Sequence, residues 1–144
     1  MKTLGRHLLV EFYDCNPDII NNKELVEQYM KEAALSAGST IVQSVFHMFK
    51  PYGVSGVVVI AESHLAIHTW PEYNYASVDL YTCGSCVNPL NAYTYLKDKF
   101  ESVNADIKEF SRGDIDTILA NMRYKSEPFK KAANGTYDAK GVVL

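Results

Sequence analysis

The chain lacks the marks of several large protein classes. No apolar run approaches the roughly 18 residues that a membrane-spanning helix needs, so no segment is predicted to cross a bilayer. Basic residues are not in excess: 14 Lys and Arg stand against 17 Asp and Glu, for a formal net charge of −3. That balance offers no electrostatic footprint for nucleic acid. Cysteine is scarce and odd in number, with three residues, which argues against a disulfide framework and for a reducing, cytoplasmic setting. Met1 to His7 leads straight into strand-like sequence. It shows neither the apolar segment nor the small-residue cleavage site of a signal peptide, so none is expected. A G-x-S-x-G elbow, a phosphate-cradling glycine loop and a second C-x-x-C are also missing, which removes three strong signatures of hydrolase, nucleotide and zinc sites. Repeats and low-complexity linkers are absent too.

What is present suits one globular domain. At 144 residues, 47% of them hydrophobic, the chain can bury a real core. Leu4 to Asp14 alternates as a strand, with Leu8, Val10 and Phe12 on one face and His7, Leu9, Glu11 and Tyr13 on the other. A helix follows, with Asn21 as its predicted cap and Glu24 as the capping-box partner. Leu25, Val26, Tyr29, Ala33 and Ala37 form its apolar stripe, and Gly38 ends it. Thr40 to Phe49 reads as a second strand from its β-branched and aromatic content. Val57–Ala61 and Leu65–Thr69 are two apolar runs, predicted to be buried strands joined by the turn Glu62-Ser63-His64. Ala76 to Thr82 alternates once more. Asn88 and Pro89 open another helix, with Tyr93, Leu96 and Phe100 on its apolar side. Val103 to Phe110 is a more polar strand suited to an edge, and Ile115, Ile118, Leu119 and Met122 fit a short helix. The stretch 130–144 is polar and aperiodic, and is expected to be loose. Tight links between strands favour hairpins. The expected fold is α+β, a two-layer sandwich of a mainly antiparallel sheet with helices on one face. Its domain is placed at 1–112, with a C-terminal extension over 113–144.

The chemistry concentrates between Tyr52 and Glu72. The turn Glu62-Ser63-His64 has no Gly, Pro or Asn, the residues that usually supply tight-turn geometry. Alternation puts His64, Ala66, His68 and Trp70 on one strand face. Two site types compete on residue chemistry alone. His64 and His68 with Cys83 and Cys86 could form a Cys2His2 zinc set, against the bland reading of two unrelated loop cysteines. Ser55, Ser63, His68 and Cys83 could form a nucleophile constellation, although no acid is obviously placed to orient a histidine. His7 and His47 read as structural, and Phe49 and Trp70 as core residues by default. Residue chemistry therefore stops at a small enzyme or metal-binding module.

The stretch Tyr52 to Glu72, with Cys83 in the next loop, closely resembles the short, self-processing S-adenosylmethionine decarboxylase family of bacteria and archaea. Leu4-Gly5-Arg6-His7 with Glu11-Phe12 is similar to the family's first strand. Phe49 to Gly53, Ser55 to Ile60, Glu62-Ser63-His64-Leu65 and Ile67 to Glu72 then match in series. The similarity covers about residues 1–110.

That resemblance implies autocatalytic cleavage between Glu62 and Ser63, leaving fragments 1–62 and 63–144 and a pyruvoyl group made from Ser63. It implies that this group forms a Schiff base with the substrate, so that neither a metal nor pyridoxal phosphate is required. By matching position, His68 is the processing base, Ser55 stabilises the processing intermediate, and Cys83 is the proton donor after CO2 leaves. Phe49 and Trp70 would sandwich adenine, and Glu72 would bind the ribose. A cytoplasmic homodimer with sites formed between protomers is implied, feeding spermidine synthesis. Relatives acting on arginine or ornithine keep another substrate open.

Overall fold

The computed structural model describes residues 2–123. Six strands form one antiparallel sheet in the order β2-β3-β4-β5-β1-β6. They are β1 (Thr3–Tyr13), β2 (Ile41–Met48), β3 (Val54–Ile60), β4 (Ser63–Trp70), β5 (Tyr75–Cys83) and β6 (Asn104–Asp114). Helices α1 (Pro17–Ile20) and α2 (Lys23–Ser36) link β1 to β2. Helix α3 (Pro89–Lys99) links β5 to β6, and α4 (Ile115–Asn121) follows β6. The α+β sandwich expected from the sequence is the observed architecture. Among the described residues no helix is long and apolar enough to cross a membrane. The tail expected to be loose, 130–144, lies outside the described residues.

One face of the sheet makes the core. Leu8, Val10 and Phe12 of β1, Val58 of β3, Leu65 and Ile67 of β4, and Val78 and Leu80 of β5 are all buried. They meet Val26, Met30, Ala33 and Ala34 of α2 and Ala92 and Leu96 of α3. Phe12 joins the layers: its ring stacks on Tyr93 at 5.8 Å and meets Phe100 edge-on at 5.9 Å. Met30 and Ala34 complete the buried stripe of α2, whereas Leu25, predicted to face inward, is only half-buried.

Two local predictions shift, and one short helix goes unpredicted. The cap of α2 is Asn22, whose side chain accepts from Leu25 N–H at 3.1 Å. Asn21 instead accepts from Gly53 N–H at 3.0 Å, pinning the β2–β3 turn to the helix layer. Neighbouring asparagines offer the same cap chemistry, and a tertiary contact claims the first. The β3–β4 turn is Ala61-Glu62, because Ile60 pairs with Ser63, so Ser63 begins β4 rather than sitting mid-turn. The four-residue α1, capped by Asn16 ahead of Pro17, carries too short a period to be read from the sequence.

Ile67 is fully buried at the centre of this core. Ile67→Ala should lower stability by about 2–5 kcal/mol through lost burial and an unfilled cavity. A fall in urea midpoint at constant slope checks this.

Candidate active site

The face of the sheet away from the helices carries the chemistry. Register sets it out in rows across the strands. One row runs His47, Ser55, His68, Ser77, Glu11 and Asp106. The neighbouring row holds Phe49, Trp70, Tyr75 and Tyr13, beside the β2–β3 turn. Further along the strands lies Gln43, Val59, His64, Tyr81, His7 and Phe110. Phe49 and Trp70, core residues by default in sequence, are 47% and 39% exposed, so burial does not account for them.

Ser55 and His68 are direct cross-strand partners, and Ser55 Oγ lies 2.6 Å from His68 Nδ1. Beyond them, Phe49 N–H donates to Gly53 C=O at 2.8 Å. Extending the β3–β4 register by two residues sets Trp70 opposite Gly53. Phe49 and Trp70 are therefore two strand spacings apart, about 10 Å between backbones, with a residue lacking a side chain between them. A Cβ at Gly53 would come 2.9 Å from Thr69 C=O, and its φ is +103°, so glycine is required there. The gap suits one planar ring held at stacking distance on both sides, which needs about 7 Å between rings. Thr69 fixes the adjoining backbone: its hydroxyl donates to Ile20 C=O and accepts from Val54 N–H, each at 2.8 Å. Glu72 is exposed in the 3-10 turn Pro71–Tyr73, just past Trp70.

At the other end of β4 lies the Glu62–Ser63 bond. Ser63 has φ 134°, in a region that only glycine occupies without strain, at a cost of about 1–3 kcal/mol. Its surroundings hold it there. Ala61 N–H donates to Thr40 C=O at 2.8 Å. The buried Glu62 carboxylate accepts from Thr40 N–H at 3.1 Å. The Glu62 carbonyl oxygen accepts from Cys83 N–H at 2.8 Å. A backbone donor already placed on a strained peptide carbonyl polarises it toward attack. Side-chain motifs carry no sign of this donor, since it belongs to the Cys83 backbone.

The site residues thus form two groups. Ser55, His68, Phe49, Trp70 and Glu72 lie at one end, and Glu62, Ser63 and Cys83 at the other. Ser63 and His68 are five residues apart on one strand, about 16 Å, far beyond the reach of an imidazole. The same rise separates His64 from His68 by about 13 Å, so the Cys2His2 set with Cys83 and Cys86 is not assembled. That spacing would serve a helix, and the residues form a strand.

A different cluster surrounds His64. Ligand atoms of His7, His64 and Asp79 lie within 4.8 Å of one another. Arg112 Nη1 is 3.0 Å from His7 Nδ1, and its guanidinium sits over the Tyr81 ring at 5.3 Å. Arginine can only donate, so Nδ1 accepts and the His7 hydrogen stays on Nε2. That nitrogen is buried, 3.7 Å from Asp79 Oδ2, and has no hydrogen-bond partner. The cluster is thus Arg112 of β6 hydrogen-bonded to His7 of β1, with Asp79 of β5 near the far side of the ring and no hydrogen bond between that ring and Asp79. Sequence gave His7 only a structural role, because its partners are distant in the chain.

The antiparallel sheet thus has one bare face that carries a hydroxyl–imidazole pair, and a strained serine at a hairpin. The family described as S-adenosylmethionine decarboxylase matches residues 6–113. The S-adenosylmethionine decarboxylase proenzyme of Thermosipho africanus is 58% identical over 118 residues, covering 82% of this chain and 91% of that protein. That of Clostridium kluyveri is 47% identical over 119 residues, covering 83% and 94%. The crystal structure of the Aquifex aeolicus adenosylmethionine decarboxylase superposes with a TM-score of 0.75 at 32% identity, covering 88% of this chain and all of that one. The chain belongs to the S-adenosylmethionine decarboxylase family.

Two predictions follow from the Ser63 end. Glycine at 63 would relieve the positive φ and alanine would not, and neither can attack Glu62. Ser63→Gly should therefore be more stable than Ser63→Ala by about 1 kcal/mol or more, after glycine's entropy cost; paired urea titrations measure it. Burial holds the His64 imidazole below the usual 6.5, with Asp79 opposing and His7 and Arg112 assisting. As pH falls through 6.5, the unfolded chain binds a proton that the folded chain refuses, so stability drops in that window. His64→Gln should flatten this loss between about pH 7.5 and about pH 5.5. An unchanged slope would exclude His64 as its source.

Proposed function

We propose that the chain cuts itself between Glu62 and Ser63 and then decarboxylates S-adenosylmethionine, at sites that each draw on two protomers. The observation that carries this reading is the separation of the two residue groups. Ser63 needs a base, and His68 of its own chain lies about 16 Å away on the same strand. A second copy laid against the open face can bring its Ser55–His68 pair to the first copy's Ser63.

Processing then follows from groups already in place. Ser63 Oγ adds to the Glu62 carbonyl carbon while Cys83 N–H holds the oxygen that gains charge. The C–N bond breaks, giving an ester and a free amine at residue 63. The partner's His68 takes the α-proton of residue 63. The electron pair left behind forms the Cα–Cβ double bond and expels Glu62 as a carboxylate. Water then replaces the nitrogen, which leaves as ammonia. For His68 to accept a proton at Nε2, its Nδ1–H must donate to Ser55 Oγ. The Ser55 hydroxyl hydrogen is then free to point at the intermediate's oxygen, so one tautomer serves both roles.

Residue 63 fits the keto group so produced, because it heads a strand held by Ile60 on one side and Thr82 on the other and stays in place once cut. When formed, the group supplies the electron sink that decarboxylation requires. The chain's own residues bind and move protons. Phe49 and Trp70 take the adenine between them over Gly53, and a cationic sulfonium is favoured beside aromatic faces. Glu72 is exposed next to Trp70 and can accept the ribose hydroxyls. Cys83, beside the junction, gives its thiol proton to the substrate carbon that loses CO2.

Two dead variants test the shared site. Ser63→Ala and His68→Ala chains should each remain whole when expressed alone. Co-expressed with different tags, they should form mixed dimers in which intact mass finds the His68→Ala chain cut at 62/63 and the Ser63→Ala chain whole. Activity should return to roughly a quarter of the wild-type sites, since about half the dimers are mixed and each has one complete site. A His68→Ala chain that stays whole in purified mixed dimers sinks the shared site.

A further inference from the structure

The aromatic row on the open face continues beyond Trp70. Trp70 and Tyr75 are direct cross-strand partners, and their rings stack with centroids 5.3 Å apart and planes 29° apart. Tyr13, one strand further on, stacks on Tyr75 at 5.9 Å and 22°. The Tyr75 hydroxyl donates to Glu11 Oε2. Burial, reinforced by the Glu11 carboxylate, pushes the Tyr75 hydroxyl up to about 12, so it stays a donor at any working pH. Tyr75 is thus held twice, by Tyr13 at its ring and by Glu11 at its hydroxyl. Trp70 lies at the end of β4 and is 39% exposed, where the strand alone leaves an indole several rotamers. Tyr75 covers one side of it. The other side looks over Gly53 toward Phe49.

We propose that Tyr75, anchored by Glu11 and backed by Tyr13, is a positioning residue that sets the plane of Trp70 and with it the width of the nucleobase slot. This rests on the reading of Trp70 as an adenine-stacking residue. A slot of fixed width spares each binding event the cost of ordering the indole. The base lies far from the carbon that loses CO2, so the benefit falls equally on bound substrate and transition state. It should therefore appear in KM rather than kcat. Neither Tyr75 nor Glu11 needs to touch substrate for this.

The test uses Tyr75→Leu, Tyr75→Phe and Glu11→Gln in the full-length, self-cleaved enzyme, with rates scaled to the cut fraction from intact mass and Trp70→Leu as control. Tyr75→Leu should raise KM roughly three- to tenfold, the range of a lost aromatic pair, with kcat kept within about twofold. Tyr75→Phe, which keeps the ring and loses Glu11, should raise KM by less and so rescue most of the loss. Trp70 is the chain's single tryptophan, so its emission reports directly on the contact. In Tyr75→Leu, emission should shift to the red as water reaches the uncovered side, and quenching by methylthioadenosine should need more nucleoside. A purely structural Tyr75 would lower the melting temperature while leaving both KM and Trp70 emission in place, and that result overturns the proposal. If Trp70→Leu leaves KM unchanged, the stacking reading fails and the positioning role falls with it. The emission of the substrate-free variants tells that case apart from a failure of Tyr75 to hold the indole. If Tyr75→Leu does not fold, Tyr75→Phe and Glu11→Gln carry the same comparison.

Discussion

The structure depends on a sheet with two unlike faces. Side chains alternate along the regular part of each strand, so each residue there is committed either to the helices or to the bare face, while Ser63, at the strained start of β4, departs from regular strand geometry. Leu65, Ile67 and Thr69 go to the helix side of β4 and are buried, while His64, Ala66, His68 and Trp70 go to the other. Neither face can borrow from the other, because a one-residue slip would exchange the whole set. Core and chemistry are thereby fixed by the same register. The Ser55–His68 pair exists because the packing of Val54 and Val58 beside Leu65 and Ile67 admits one alignment of β3 on β4.

Register also holds the Glu62–Ser63 bond in its strained form. A serine with φ 134° would relax in a free loop. Here Ser63 is paired on both sides, and the two turn residues before it are tied to Thr40 and to Cys83 N–H. The surroundings over-determine the conformation, and strain persists only under that condition. In the self-cleavage proposed above, about 1–3 kcal/mol of strain in the peptide would favour a shift to the ester by roughly five- to 150-fold. The hydrogen bond from Cys83 would act on the barrier, since it lies on the oxygen where negative charge would develop. Strain and donor therefore act on different parts of the same step.

Much of this was legible in the chain, and the limits have physical causes. The strands were readable because their inward positions are almost uniformly apolar, as in Leu8-x-Val10-x-Phe12 and Ala76-x-Val78-x-Leu80. Asn88-Pro89 marked its helix because a cap followed by proline has few other uses. Asn21 misled because its neighbour Asn22 carries the same chemistry and only tertiary structure tells them apart. The zinc reading failed on rise per residue: i and i+4 meet on a helix and lie about 13 Å apart on a strand. The Cys83 N–H donor left no trace in sequence, since every residue but proline has one. Arg112 and His7, or Tyr75 and Glu11, are neighbours only through the insertion of β1 between β5 and β6, which no local period announces. The motif around Ser63 identified the family, and only the geometry exposes the distance between its parts.

That distance and the bare face present the same problem. Val45 is 60% exposed, Val59 41% and Phe110 50%, and register places all three on the open side with Phe49, Trp70 and Tyr13. Apolar exposure on that scale marks a surface that another surface covers. A covering of different chemistry would satisfy the valines and leave Ser63 without a base. In the dimer proposed above, a second copy of the same face would supply both apolar cover and the missing imidazole, and two-fold symmetry would then complete two sites at once. An extended strand holds its own two ends apart, so in that proposal only association brings the His68 imidazole to Ser63, and the isolated protomer would be chemically incomplete.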